Sequence, residues 1–134
     1  MVYAIFVLAG AALAALVLFG LDRFWAERKK DALSIVLAFM AAAYIGPSLG
    51  SWAPVDIAEI TISISLGILA IFCLRGPWIL LVIGYVIHGA WDALHGFVVP
   101  VHLPDWYAPL CIGFDWTAAA IMLRWHQSEQ GRAG

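Results

Sequence analysis

The stretch Trp78–Val98, WILLVIGYVIHGAWDALHGFV, decides the fold. It is apolar over roughly 20 residues, which is the length of a membrane-spanning helix. It nevertheless contains His88, Asp92 and His95. Ionisable groups inside a membrane are costly and face partners in the protein interior or in a water-filled cavity. The stretch therefore predicts a spanning helix with one polar face that is turned toward other helices.

The whole chain has the composition of a membrane protein. Of its 134 residues, 64% are hydrophobic and only 12% are charged, and its mean hydropathy is +0.94. A soluble domain carries about a quarter charged residues. We therefore predict an all-α integral membrane protein, a single transmembrane helical-bundle domain over residues 1–134. Five apolar runs are long enough to span: Val2–Leu21, Ala32–Gly50, Val55–Leu74, Trp78–Val98 and Pro109–Trp125.

The basic residues predict the orientation of these spans. Lys and Arg concentrate in short cytoplasmic loops, and with five spans all seven basic residues fall on one side of the membrane. This arrangement places the N-terminus outside and the C-terminus inside. The expected location is the plasma membrane of a bacterium, with a multi-pass topology.

The acidic residues divide unequally between the two halves of the bundle. Four share the inner face with the basic residues, whereas the outer half has five acids and no Lys or Arg. Buried carboxylates need pairing, a bound metal or a proton. The outer half therefore needs cations from another source. Its acids are Asp56, Glu59, Asp92, Asp105 and Asp115.

Helical spacing predicts how these groups meet. His88, Asp92 and His95 are spaced i, i+4 and i+7 and lie on one face of the fourth helix. Asp115 enters from the fifth helix near the level of Asp92, and Glu59 enters from the third. Imidazole and carboxylate are ligands for zinc and for non-haem iron or manganese. We predict a divalent metal site formed by His88, Asp92, His95 and Asp115, in a pocket open to the periplasmic or extracellular side.

Three functions fit such a pocket. The first is a metal site. As an enzyme it would be a metal-dependent intramembrane hydrolase or isomerase, in which Glu59 and Asp115 are the candidate catalytic groups that move protons. The second is a structural or assembly subunit whose polar groups hold the helices together. The third is a proton or metal-ion transporter, which the apolar inner half of the spans disfavours.

Other partners follow from the same residues. The lipid bilayer is the expected environment, a lipid or a small periplasmic molecule is the expected substrate class, and a homo-oligomer is a further expectation. Haem is disfavoured, because the two intramembrane histidines share one face of one helix. The sequence contains no Gly-rich phosphate loop and no basic patch of the kind that binds nucleic acid.

Overall fold

The protein folds as helices throughout the part that the computed structural model describes, which covers residues 2–45, 54–94 and 103–133. The all-α prediction is confirmed for these residues. In chain order the helices are α1 (Val2–Phe24), α2 (Lys29–Ala42), α3 (Pro54–Arg75), α4 (Trp78–Leu94) and α5 (Tyr107–Ala133), and a 3-10 turn at Ala26–Arg28 joins the first two.

The five helices coincide with the five predicted apolar runs, but some ends differ. Helix α5 continues to Ala133, about two turns beyond its apolar run. This polar tail contains no proline, and the Gln130 side chain lies 3.2 Å from the His126 ring one turn earlier. The hydrophobic pattern therefore underestimated the length of this helix. The predicted ends at Gly50 and Val98 lie outside the described residues.

Helices α1 and α5 cross with their backbones in contact. A Cβ atom at Gly10 would lie 1.9 Å from the Leu110 carbonyl oxygen, and one at Gly113 would lie 1.9 Å from the Val7 carbonyl oxygen. Only glycine permits this approach, as in the small-residue crossings of membrane helices. Helix α1 lies at the edge of the bundle and is held mainly by α5.

The remaining helices form a continuous core. Helix α5 packs along α4, and α3 packs against both α2 and α4. Apolar side chains with no solvent exposure fill the space between them. The largest non-aromatic ones are Leu18, Leu33, Leu37, Leu81 and Met122.

One end of the bundle collects the basic residues of the connections. Lys29 Nζ lies 2.6 Å from Asp22 Oδ1 and 4.1 Å from the centre of the Trp125 ring. Lys30 Nζ donates to the Gly76 carbonyl at 2.6 Å. These contacts join the end of α1, the start of α2 and the turn between α3 and α4 to the later part of α5. Successive helices therefore run in alternating directions.

The outer surface of the bundle is apolar. Leu8, Leu16 and Phe19 on α1 are each 70% exposed, and Ile71 and Phe72 on α3 are similarly open. The segments Val2–Phe24 and Ile57–Arg75 are the two described helices that are long and apolar enough to cross a membrane. Helix α4 is apolar, but its 17 described residues are fewer than the roughly 20 that a spanning helix needs. The five-span arrangement stays a prediction.

The glycine crossing gives a stability test. Gly113→Ala should lower the free energy of unfolding by about 1–3 kcal/mol, because the new methyl group meets backbone that cannot move cheaply. Gly67→Ala is the matched control, since its Cβ would meet no atom within 4 Å. We expect it to be neutral or stabilising. Thermal unfolding of the purified variants measures both, and equal shifts would contradict the crossing.

Candidate functional site

Helices α4 and α5 bring a histidine and an aspartate together in the core. His88 Nδ1 lies 2.8 Å from Asp115 Oδ2. Both side chains are completely buried. This contact between neighbouring helices shows that His88 on α4 and Asp115 on α5 lie at the same level of the bundle.

Asp92 joins the same ring from one turn further along α4. Its Oδ2 lies 3.3 Å from His88 Nδ1, so both carboxylates approach the same ring nitrogen. Its Oδ1 accepts a hydrogen bond from the Tyr44 hydroxyl, which follows the end of α2. A single imidazole thus connects side chains from three parts of the chain.

No lysine or arginine of the described residues pairs with these carboxylates. The ion pair that Lys29 makes lies with Asp22 at the basic end. Asp115 is ten residues before Trp125, which places the His88–Asp115 pair about 15 Å from that end. The prediction of acids that lack basic partners therefore holds for Asp92 and Asp115.

Three buried polar atoms of this group have no hydrogen-bond partner among the described residues. They are His88 Nε2, Asp92 Oδ2 and Asp115 Oδ1. A buried donor or acceptor without a partner costs about 1–3 kcal/mol. The two carboxylate oxygens leave bonding capacity for a bound ion or a water. His88 Nε2 is on the other edge of the imidazole from Nδ1, so it does not bind the same ion.

The donor atoms have nearly the spacing of a metal site. One ligand atom from each of His88, Asp92 and Asp115 can be chosen so that all three lie within 4.8 Å of one another. With bonds of 2.0–2.2 Å, tetrahedral ligand atoms are about 3.4 Å apart. The Asp92 separation of 3.3 Å already matches this value, and the Asp115 separation of 2.8 Å would widen by about half an ångström. These two separations from His88 Nδ1 are therefore close to those of a divalent metal site.

Glycine makes the close approach of α4 and α5 possible. A Cβ atom at Gly89 would lie 3.0 Å from Asp115 Cβ and 2.7 Å from the Trp116 indole nitrogen. Directly below the group, the Tyr85 hydroxyl donates to the Leu33 carbonyl at 2.8 Å. Gly89, which follows His88 in the sequence, therefore lets α5 come close enough for Asp115 to reach His88.

The other predicted site residues take different positions. Glu59 is buried on α3 but lies outside the group of three. His95 lies outside the described residues, as does the side chain of Asp56. The structure therefore brings together His88, Asp92 and Asp115, and the metal and catalytic roles assigned to the predicted residues stay predictions.

Tyr44 was missed as a site residue by the sequence prediction. It lies two residues beyond the end of α2, and periodicity alone does not show that its hydroxyl reaches Asp92 on another helix. Its ring also packs edge-on against Tyr107, with centroids 5.9 Å apart. The sequence signal that could have identified it is a tyrosine next to small residues in an apolar run, because its hydroxyl needs a partner when it is buried.

The chain belongs to a family of unknown function, DUF6010, whose model matches residues 3–128. No curated protein matches the chain. No solved structure matches it.

The Tyr44 hydrogen bond can be tested by removing one oxygen. Tyr44→Phe should destabilise the protein by about 1–3 kcal/mol, because a buried carboxylate oxygen loses its donor. The control is Tyr3→Phe, whose side chain is 56% exposed. Chemical unfolding should separate the two variants. If Tyr44→Phe unfolds like the wild type, the hydroxyl does not stabilise Asp92.

Proposed function

We propose that this DUF6010 protein is an integral membrane protein whose buried His88, Asp92 and Asp115 bind a divalent metal ion. The observation that carries the proposal is the convergence of one imidazole and two carboxylates without a basic partner in the described residues. A metal ion would neutralise both carboxylates and use the bonding capacity of their free atoms.

The distribution of side chains supports placement in a membrane. Large apolar residues cover the outside, whereas the interior contains carboxylates and a histidine. In the most apolar windows of Val2–Phe24 and Ile57–Arg75, only 22% and 28% of residues are buried. The core helix of a soluble protein would be mostly buried. Contiguous exposed apolar surface of this kind needs lipid or another apolar partner.

The level of the site agrees with an outer-leaflet pocket. The distance of about 15 Å from the basic end is half of a hydrocarbon core of about 30 Å. Asp92 lies one turn further out. With the basic end on the cytoplasmic side, the carboxylates occupy the midplane and the leaflet above it.

A transporter fits the interior less well than a resident metal site. Fully buried leucines lie between the polar group and the basic end, and the Tyr85 hydroxyl is already bonded to a backbone carbonyl. These contacts interrupt a polar path to the inner face. An enzyme at this site would act on a lipid or a small periplasmic molecule. Asp115 would then hold the metal, and Glu59 would move protons from outside the group of three.

The second candidate is a structural core held by hydrogen bonds. It is favoured by the Tyr44–Asp92 and His88–Asp115 contacts, which connect α4 with the end of α2 and with α5 without any ion. Interhelical hydrogen bonds in membranes contribute about 0.6 kcal/mol on average, and bonds to a buried carboxylate are stronger than this average. The metal site predicts that the purified protein contains a bound ion, whereas the structural core predicts metal-free protein.

Elemental analysis of the detergent-purified protein tests the metal proposal. We expect close to one zinc, iron or manganese ion per chain, and a large loss in Asp115→Asn because one ligand oxygen is replaced by an amide. Glu59→Gln is the matched control, since it alters a buried acid outside the group. Metal-free protein whose thermal stability does not respond to chelator would contradict the proposal and favour the structural core.

Membrane placement has its own test. The protein should stay in the membrane fraction after an alkaline wash, because spanning helices are not extracted by high pH. A reporter fused to the C-terminus should be cytoplasmic, whereas one inserted between Val99 and Trp106 should be exposed outside. Release by the wash, or both reporters on one side, would overturn the five-span topology.

A further inference from the structure

A groove opens beside the turn that joins α1 to α2, at the basic end of the bundle. Its volume is about 780 Å³, which lies in the range of about 300–1,000 Å³ that small-molecule sites occupy. The lining residues come from this turn, from the start of α2 and from the end of α3. They are Trp25, Arg28, Asp31, Ala32, Ile35 and Leu74.

The wall of the groove changes from charged to apolar along α2. Arg28 and Asp31 lie at its start, and Ile35 follows Asp31 by one turn on the same face. Ile35 is exposed, and so is Phe39 one turn further from the basic end. A hydrocarbon chain that lies along this face would therefore place a polar head beside Arg28 and Asp31.

The charged part of the groove has one positive and one negative side chain. Neither Arg28 nor Asp31 forms an ion pair with any described residue, whereas the neighbouring Lys29 pairs with Asp22 at 2.6 Å. Side chains three residues apart on a helix start about 5–6 Å from each other. A ligand with a phosphate and an ammonium group a few ångströms apart can therefore contact both residues.

We propose that this groove binds phosphatidylethanolamine, with the lipid phosphate at Arg28, its ammonium at Asp31 and an acyl chain along Ile35 and Leu74. The lipid site rests on the membrane placement of the proposed function and does not depend on the metal. The Trp25 ring at the edge of the groove is of the kind that lies at membrane interfaces.

Charge complementarity selects this headgroup. A guanidinium group binds phosphate through two parallel N–H donors, and a primary ammonium has three N–H donors for a carboxylate. Phosphatidylglycerol has the phosphate but no cation for Asp31. Phosphatidylcholine has a cation without N–H donors. The expected order of affinity is therefore phosphatidylethanolamine, then phosphatidylcholine, then phosphatidylglycerol.

Asp31 also has a structural role that must be separated from lipid binding. It lies in the first turn of α2, where a negative charge stabilises the helix N-terminus. Loss of that charge would change the stability of the protein but not its preference among headgroups. The ratio of bound lipids is therefore the measurement that tests the proposal.

Native mass spectrometry of the detergent-purified protein measures this ratio. The protein would be mixed with equal amounts of the three lipids with identical acyl chains. We expect the wild type to retain about three- to fivefold more phosphatidylethanolamine than phosphatidylglycerol, which is the effect of one exposed ion pair. Asp31→Asn should remove this preference, and Arg28→Gln should weaken binding of all three lipids, because the phosphate is common to them.

Matched controls lie on α5 at the same end of the bundle. Glu129→Gln and Arg124→Gln each remove an exposed charge that does not line the groove, and both should bind lipid like the wild type. Equal effects of the control variants would show a general charge effect and overturn the site.

The remaining outcomes separate the lipid site from the proposed function. Release of the protein by the alkaline wash would overturn the membrane placement itself. If the protein stays in the membrane but the wild type binds phosphatidylglycerol as well as phosphatidylethanolamine, only the lipid site is wrong. An unchanged lipid ratio in Asp31→Asn has the same meaning. Should Asp31→Asn fail to fold, Arg28→Gln decides, since binding equal to that of the wild type contradicts the phosphate contact.

Discussion

The approach of two buried carboxylates to one imidazole nitrogen constrains the whole bundle. His88 links its own helix to α5 through Asp115, and Asp92 extends the link to Tyr44 after α2. A slide of α4 against α5 by one turn, about 5.4 Å, would break these contacts and leave buried charge unpaired. Polar contacts that are modest in energy therefore specify one register, which apolar packing alone does not do.

Backbone proximity is the condition that makes this register possible. Gly89 lets α4 approach the Cβ of Asp115, and Gly10 and Gly113 let α1 lie directly on α5. In a lipid environment helices gain no hydrophobic stabilisation from one another, so close van der Waals contact and interhelical hydrogen bonds take that role. The glycines and the polar group therefore belong to one packing solution, in which α1 supports α5 from the side opposite α4.

Hydrophobic runs and helical periodicity were sufficient to predict the helices and the polar face of α4. They also predicted that Asp115 meets that face, although they placed it level with Asp92, whereas its shortest contact is with His88 one turn lower. The error is about one turn, because depth was counted from assumed membrane boundaries rather than from helix contacts. Tyr44 was not predicted because a contact between helices depends on rotation and crossing, which periodicity does not determine.

The charges of His88, Asp92 and Asp115 require a positive partner, either protons or a metal ion. Two carboxylates and one imidazole leave at least one negative charge when the imidazole holds a single extra proton, and burying that charge is expensive. A divalent ion neutralises both carboxylates and leaves the imidazole neutral, as its role as a ligand requires. A second proton would balance the carboxylates as well, so the metal content of the purified protein is what distinguishes a site for a metal from a site for protons.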